Sequence, residues 1–264
     1  MPSERIDLTH RADPAKLPEW MDEPCSYEDF RACLVDLALV NRLTLAARPT
    51  LRFLDDLWQS DPTLSTPSDK VRPLGTPVRN KAAKDGSPNP LRIVDVGSGG
   101  GDMLRRIARW AGRRGIAVQL TGIDLNPYAA RAALEFTPAN TAITWITGDA
   151  FSFEQPVDVV LSSLFTHHLA EPEIVRFLGW MERIAQRGWL INDLAREATP
   201  LKLFGLLAAA ARWHPFVQHD GPVSFRRSFR EDDWERMAAA AGISPSALTL
   251  RRWTPGRLCV GRLR

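Results

Sequence analysis

The 264-residue chain contains only three cysteines and no long uninterrupted apolar run. Cys25, Cys33 and Cys259 lack the spacing of metal-binding cysteines, and an odd, sparse count fits a reducing compartment. A membrane-spanning helix needs about 20 consecutive apolar residues, and no segment approaches that length. Residues 1–16 are charged and lack the apolar core of a secretory signal. The sequence therefore predicts a cytoplasmic protein without a membrane span.

The chain also lacks a strong excess of either charge. It has 34 Lys and Arg against 31 Asp and Glu, a net charge of +3. Arginines cluster at 226–230 and 251–264, but acidic residues are spread throughout the chain. A nucleic-acid surface concentrates basic and aromatic residues on one face. A nucleic-acid partner is therefore not favoured, although modification of tRNA or protein through the arginine clusters stays open.

Hydrophobic periodicity divides the chain into three regions. Residues 1–60 carry two helical patterns and predict an N-terminal helical region. Residues 61–90 are rich in proline and polar residues, which predicts a flexible linker. In residues 91–264 strands and helices alternate, and the chain ends in a hairpin around Thr254-Pro255-Gly256. This order predicts an α/β fold with a doubly wound, mostly parallel sheet.

A glycine-rich loop follows the first strand of this region, the apolar segment 91–96. The loop reads Asp95-Val96-Gly97-Ser98-Gly99-Gly100-Gly101. A dinucleotide-binding loop needs G-x-G-x-x-G, but the third glycine is replaced by Asp102 in one register and Leu104 in the other. The pattern present is D-x-G-x-G-x-G. It excludes the dinucleotide fingerprint while still predicting a nucleotide-like ligand against backbone N–H groups.

Further acidic residues follow the next strands. Asp124 ends the second strand and Asp149 the third. Ligands of such sheets bind at the carboxyl ends of the strands. Asp124 could accept two ribose hydroxyls, and Asp149 could accept an adenine amino group.

In order and spacing, residues 91–194 resemble class I S-adenosylmethionine (SAM) dependent methyltransferases. The resemblance implies a Rossmann-like, seven-stranded fold with an N-terminal helical lid and a helical insertion after strand five. It makes residues 91–264 a SAM-binding domain with a substrate-cap insertion at 195–230. It implies SAM as cofactor and these binding residues: Asp95, Gly97, Ser98, Gly99, Gly101, Asp124, Leu125, Asp149, Ala150 and Ser162.

The segment after strand four points to the substrate class. It lacks the (Asn/Asp)-Pro-Pro-(Tyr/Phe) motif of nucleic-acid amino-methyltransferases and reads SSLFTHHL at 162–169. This resembles small-molecule methyltransferases of the ubiquinone-biosynthesis-like and natural-product groups. The resemblance implies that His167 is the general base and Asp193 supports it. His168 is interpreted as structural. His219, beside Asp220 in an expected polar loop with an Asp-Gly turn, is a second catalytic candidate.

The expected reaction is methyl transfer to a phenolic or other hydroxyl oxygen. The apolar residues of the lid and cap favour an aromatic or lipophilic small-molecule acceptor. C-methylation of a quinone or polyketide ring remains an alternative, as does a non-catalytic SAM-binding regulatory or accessory protein. The sequence assigns no metal ligands, and it leaves a monomer and a homodimer equally open.

Overall fold

The computed structural model describes residues 7–60 and 89–264. These ranges form seven strands: β1 (Leu91–Val96), β2 (Val118–Asp124), β3 (Ile143–Thr147), β4 (Val157–Ser163), β5 (Ala185–Leu194), β6 (Thr249–Trp253) and β7 (Arg257–Leu263). They also form eight α-helices: α1 (Tyr27–Leu43), α2 (Arg48–Ser60), α3 (Asp102–Arg114), α4 (Ala129–Phe136), α5 (Glu171–Ile184), α6 (Ala198–Ala210), α7 (Pro215–Arg227) and α8 (Glu231–Ala240). Most of the predicted linker, residues 61–88, lies outside the described residues.

The strands form one sheet in the order β3-β2-β1-β4-β5-β7-β6. β1 pairs in parallel with β2 and β4, and β2 pairs in parallel with β3. β6 and β7 form an antiparallel hairpin. In β1, only Arg92 is exposed, as expected for a parallel strand covered on both faces. The predicted doubly wound, mostly parallel sheet with a terminal hairpin is confirmed.

The described chain divides into two compact units. Of the described residues, one unit contains 47–60, 89–163, 181–190 and 263–264, and therefore β1 to β4 with α2, α3 and α4. The other contains 7–46, 164–180 and 191–262, and therefore α1, α6, α7, α8 and β6. The predicted roles of residues 1–60 as a lid and 195–230 as a substrate cap stay predictions. No helix in residues 7–60 or 89–264 has the length and apolar character needed to cross a membrane.

The prediction of a polar loop after Trp213 is wrong, because residues 215–227 form α7. His214 caps this helix: its side chain accepts a hydrogen bond from the backbone N–H of Phe216. Gly221 lies inside the helix, where an added Cβ would come within 1.8 Å of the Phe204 ring. The glycine thus permits close packing of α7 against Phe204, and the Asp-Gly pair does not mark a turn.

The start of α4 differs from what its sequence predicts. An asparagine followed by a proline, as at Asn126-Pro127, is typical of a helix cap and first turn, but the helix begins at Ala129. The Asn126 side chain instead accepts the N–H of Tyr128 at 2.9 Å. The hydrogen bond closes a local turn before the helix rather than its first turn.

The start of α3 is closely packed against Trp145 of β3. Gly101, the residue before α3, has φ +75°, and an added Cβ would lie 2.2 Å from Trp145 Cη2. Gly122 of β2 is covered by the same ring, at 2.6 Å from such a Cβ. Glycine at these positions therefore makes room for the indole between β2 and the start of α3.

We expect Gly101→Ala to lower the free energy of unfolding by about 2 kcal/mol or more, through overpacking and positive φ. Gly112→Ala is the matched control, since Gly112 lies in α3 with no other atom within 4 Å of an added Cβ. Alanine should stabilise that helix position by about 0.5–1 kcal/mol. Urea denaturation of both variants measures the difference. Equal effects would contradict the packing role of Gly101.

Candidate active site

The glycine loop after β1 is held against the end of β2. Gly97, Gly99 and Gly101 have positive φ, a conformation that side chains disfavour. The Gly97 N–H donates to the Ile123 carbonyl at 2.9 Å, and the Gly99 N–H donates to Oδ2 of Asp124 at 2.7 Å. The predicted glycine loop is therefore held in place by Asp124, the acidic residue predicted at the end of the second strand.

Asp124 uses both carboxylate oxygens to organise this strand end. Besides Gly99, it accepts the N–H of Asn126 through Oδ1 at 2.9 Å. A carboxylate of this kind is an acceptor of the type that a ligand's hydroxyls require.

Asp95, in β1, is 2% exposed, and its Oδ1 has no hydrogen-bond partner among the described residues. Burial raises the pKa of Asp95 to about 8, and the negative charges of Asp124 and Asp102 add to this rise. A buried polar atom without a partner is costly. An ammonium group reaching it directly or through water would supply the missing donor and favour the charged carboxylate. The observed site thus fits a ligand that carries a cationic amino group.

The other predicted cofactor residues lie in the same unit, and their partners are local. Asp149 accepts the N–H of Phe151 at 2.9 Å and thereby caps the short 3₁₀ helix Ala150–Ser152. The Ser162 hydroxyl is buried and donates to the Val96 carbonyl at 3.2 Å. Leu125 is 74% exposed. Its exposed apolar side chain is available to a flat ring.

Ser98, the remaining predicted loop residue, donates its backbone N–H to the carbonyl of Ile123 at 3.2 Å.

Trp145 is a residue that the sequence did not indicate. Its indole N–H is buried and has no partner among the described residues. A tryptophan in a strand is usually interpreted as core, so its packing on two glycines had no signal in the sequence.

The predicted pair of His167 and Asp193 is brought together in the other unit. Nδ1 of His167 lies 2.7 Å from Oδ1 of Asp193. Asp193 also accepts the Thr166 hydroxyl at 2.6 Å and the N–H of Leu194 at 2.7 Å. Burial alone would raise the pKa of Asp193, but His167 and these hydrogen bonds hold it well below its usual range. The ionised carboxylate therefore orients the imidazole with its proton on Nδ1.

The opposite side of the His167 ring faces an acidic residue that the sequence reasoning missed. Nε2 of His167 lies 3.6 Å from Oε1 of Glu19, which is 4% exposed. Glu19 also accepts the Ser224 hydroxyl at 2.9 Å and lies 3.3 Å from the Arg227 guanidinium. No short motif links Glu19 to His167, because their approach depends on tertiary folding.

His168, interpreted as structural, lies beside this group. Its Nδ1 is 2.9 Å from Asp22. Burial would lower the pKa of His168, but the carboxylates of Glu19 and Asp22 raise it.

His219 lies on α7, not in the polar loop that the sequence predicted. Its Nδ1 is 2.7 Å from Oδ1 of Asp220, and its ring stacks on Trp20 with the centroids 4.0 Å apart. Asp220 also accepts the N–H groups of Trp20 and Met21. His219 therefore fastens the segment around Trp20 to α7, while its side chain keeps 33% exposure.

Comparison with known proteins agrees with this description. Residues 93–188 match the family described as "Methyltransferase domain". No curated protein sequence is significantly similar to the chain.

Among solved structures, the plantazolicin methyltransferase BpumL, in complex with SAH, is 17% identical, with a TM-score of 0.51. The match covers 66% of this chain and 77% of that one. The magnesium protoporphyrin IX methyltransferase of Synechocystis, also with bound SAH, is 16% identical, with a TM-score of 0.47. That match covers 66% of this chain and 74% of that one.

The fold likeness, the domain match and the acidic–glycine loop at the end of β1 agree with one another. Residues 93–188 of this chain therefore resemble a methyltransferase domain, and the acidic–glycine loop at the end of β1 lies within the matched residues.

Proposed function

We propose that this methyltransferase carries the methyl group of SAM to a hydroxyl oxygen of a small molecule. The buried pair of His167 and Asp193, 2.7 Å apart, carries the proposal. The methyl group of a sulfonium is already activated, so the protein must align the acceptor oxygen and remove its proton. An imidazole oriented by an ionised carboxylate is suited to that proton transfer.

The cofactor half of the proposal rests on Asp95 and Asp124. The unpartnered oxygen of Asp95 would receive the ammonium of the methionine part, and Asp124 the ribose hydroxyls. Asp149 and the Ala150 N–H would bind the adenine edge, with Leu125 against its face. The glycine loop would let the backbone approach the ligand closely.

In the proton-transfer half, His167 accepts the hydroxyl proton at Nε2. Because Asp193 holds the Nδ1 proton, Nε2 carries the basic lone pair. Asp193 orients the ring and stabilises the imidazolium that forms. His219 is proposed to position the acceptor, since its ring is partly exposed.

A lipophilic or aromatic acceptor is supported by the exposed leucines of α6. Leu203, Leu206 and Leu207 are 62%, 70% and 43% exposed. Trp213 and Phe225, two apolar residues of the predicted cap at 195–230, are buried and pack as core. The cytoplasmic location and the choice between monomer and homodimer stay predictions.

Incubation with methyl-labelled SAM and a panel of phenols, quinones and sugars should give a labelled O-methyl product. Mass spectrometry with product fragmentation locates the label, and Asp124→Asn protein is the matched control. A label on ring carbon would favour C-methylation instead. SAM binding without transfer to any acceptor would favour the regulatory alternative.

Asp124→Asn should weaken SAM binding by about 10-fold or more, because hydrogen bonds to a charged group contribute about 1.5–3 kcal/mol each. Asp102→Asn is the matched control, since this neighbouring carboxylate pairs with Arg106 at 3.1 Å instead of the loop backbone. Isothermal titration calorimetry measures both affinities. Unchanged affinity in the Asp124 variant would overturn the ribose assignment.

His167→Ala should slow transfer by about 10²-fold or more, the range for a general base, while SAM affinity stays nearly intact. His219→Ala should instead raise KM for the acceptor with a smaller change in kcat. Steady-state kinetics and circular dichroism of both folded variants separate these effects. Full turnover by the His167 variant would remove His167 from the mechanism.

A further inference from the structure

His167 and His168 are held by carboxylates in the same way. Nδ1 of His167 is 2.7 Å from Asp193, and Nδ1 of His168 is 2.9 Å from Asp22. This leaves both Nε2 atoms facing one carboxylate. They lie 3.6 Å and 3.7 Å from the two oxygens of Glu19.

These distances are too long for good hydrogen bonds, whose N···O separation is about 2.7–3.2 Å. They are close to the spacing of neighbouring ligands around one ion. Zinc ligands at about 2.1 Å in tetrahedral geometry are about 3.4 Å apart. The three donor atoms of Glu19, His167 and His168 all lie within 4.8 Å of one another.

The surroundings complete the pattern of a metal site. A metal-bound histidine almost always gives its other ring N–H to a carboxylate, backbone carbonyl or water, which fixes the ring and its tautomer. Both histidines have a carboxylate partner at Nδ1 here. We propose that Glu19, His167 and His168 bind a divalent cation of the zinc class, which is selected by imidazole nitrogen and carboxylate oxygen donors. Three protein ligands leave a fourth position open.

Charge and access agree with this assignment. Glu19, Asp22 and Asp193 contribute three carboxylates at the two imidazoles. The Arg227 guanidinium contacts Glu19 and Asp22, at 3.3 Å and 3.2 Å. A further guanidinium, that of Arg11, binds the carbonyl of His167 at 3.1 Å. With neutral imidazoles the group keeps a net negative charge. The His168 side chain is 26% exposed, which gives an ion an entrance.

Binding of a cation by these three residues does not depend on the proposed methyl transfer. The role of the bound cation in the reaction does rest on the proposed function. Without a cation, Nε2 of His167 accepts the hydroxyl proton as proposed above. A bound cation occupies Nε2, and an acceptor hydroxyl at the open position would then release its proton to solvent more readily. His167 is required both as a proton acceptor and as a metal ligand. Loss of activity in a His167 variant therefore does not distinguish the two roles, whereas a measurement of metal binding does.

The test is a titration of metal-free protein with Zn²⁺ alone, in competition with a chromophoric chelator. One ion per chain is expected. His168→Gln, which removes a partly exposed ligand, should weaken binding by about 100-fold or more. Asp22→Asn should weaken it by about 10–100-fold, the range for an outer-shell partner. His10→Gln is the matched control, because His10 is exposed and outside the group.

Co²⁺ absorption in the visible range should report the same site and disappear in His168→Gln. Absence of stoichiometric binding, or equal binding by wild type and His168→Gln, would overturn the proposal. NMR spectra that show both imidazoles protonated at neutral pH with excess Zn²⁺ present would also overturn it. Ion pairs between protonated histidines and Glu19 would then explain the short distances. SAM affinity is measured separately in the same samples, so that a failed metal site and a failed cofactor site are distinguished.

Discussion

The candidate catalytic group depends on the ionised carboxylate of Asp193. This residue is fully buried, and a buried charge persists only when it is paired and hydrogen-bonded. Asp193 meets that requirement with the Thr166 hydroxyl, the His167 ring and the Leu194 N–H. The same contacts involve Thr166 and His167 of the short 3₁₀ helix Thr166–His168, so the carboxylate that holds this segment also sets the direction of the His167 ring.

The parallel strands were predictable from the sequence because strand and helix patterns alternate and acids and glycines occur at the strand ends. Asp95, Asp124 and Asp149 were predicted as cofactor residues from that local order. The pairing of His167 with Asp193 was proposed from the resemblance, and the structure brings the two side chains together. These features depend on short-range patterns, which a single sequence displays.

The rest depends on tertiary contacts that short-range patterns do not contain. α7 was missed because Gly221 and Pro222 are usually turn residues, whereas Gly221 here accommodates the Phe204 ring. Trp145 was missed because nothing in β3 shows that it will cover Gly101. Glu19 was missed because its link to His167 joins distant parts of the chain. Each error follows from a side chain meeting a partner far along the sequence.

Two buried carboxylates of this protein have opposite properties, although a functional role is proposed for both. Asp193 is satisfied by donors, and its pKa lies well below the usual range. Asp95 has an oxygen with no partner in the part of the chain that the structure describes, and its pKa is raised to about 8. A folded chain tolerates the cost of Asp95 when a ligand supplies the missing donor, and perturbed groups of this kind cluster at functional sites. The proposed cation site rests on a different observation: the two Nε2 atoms lie 3.6 Å and 3.7 Å from the oxygens of Glu19, close to the separation of about 3.4 Å between neighbouring ligands of one zinc ion.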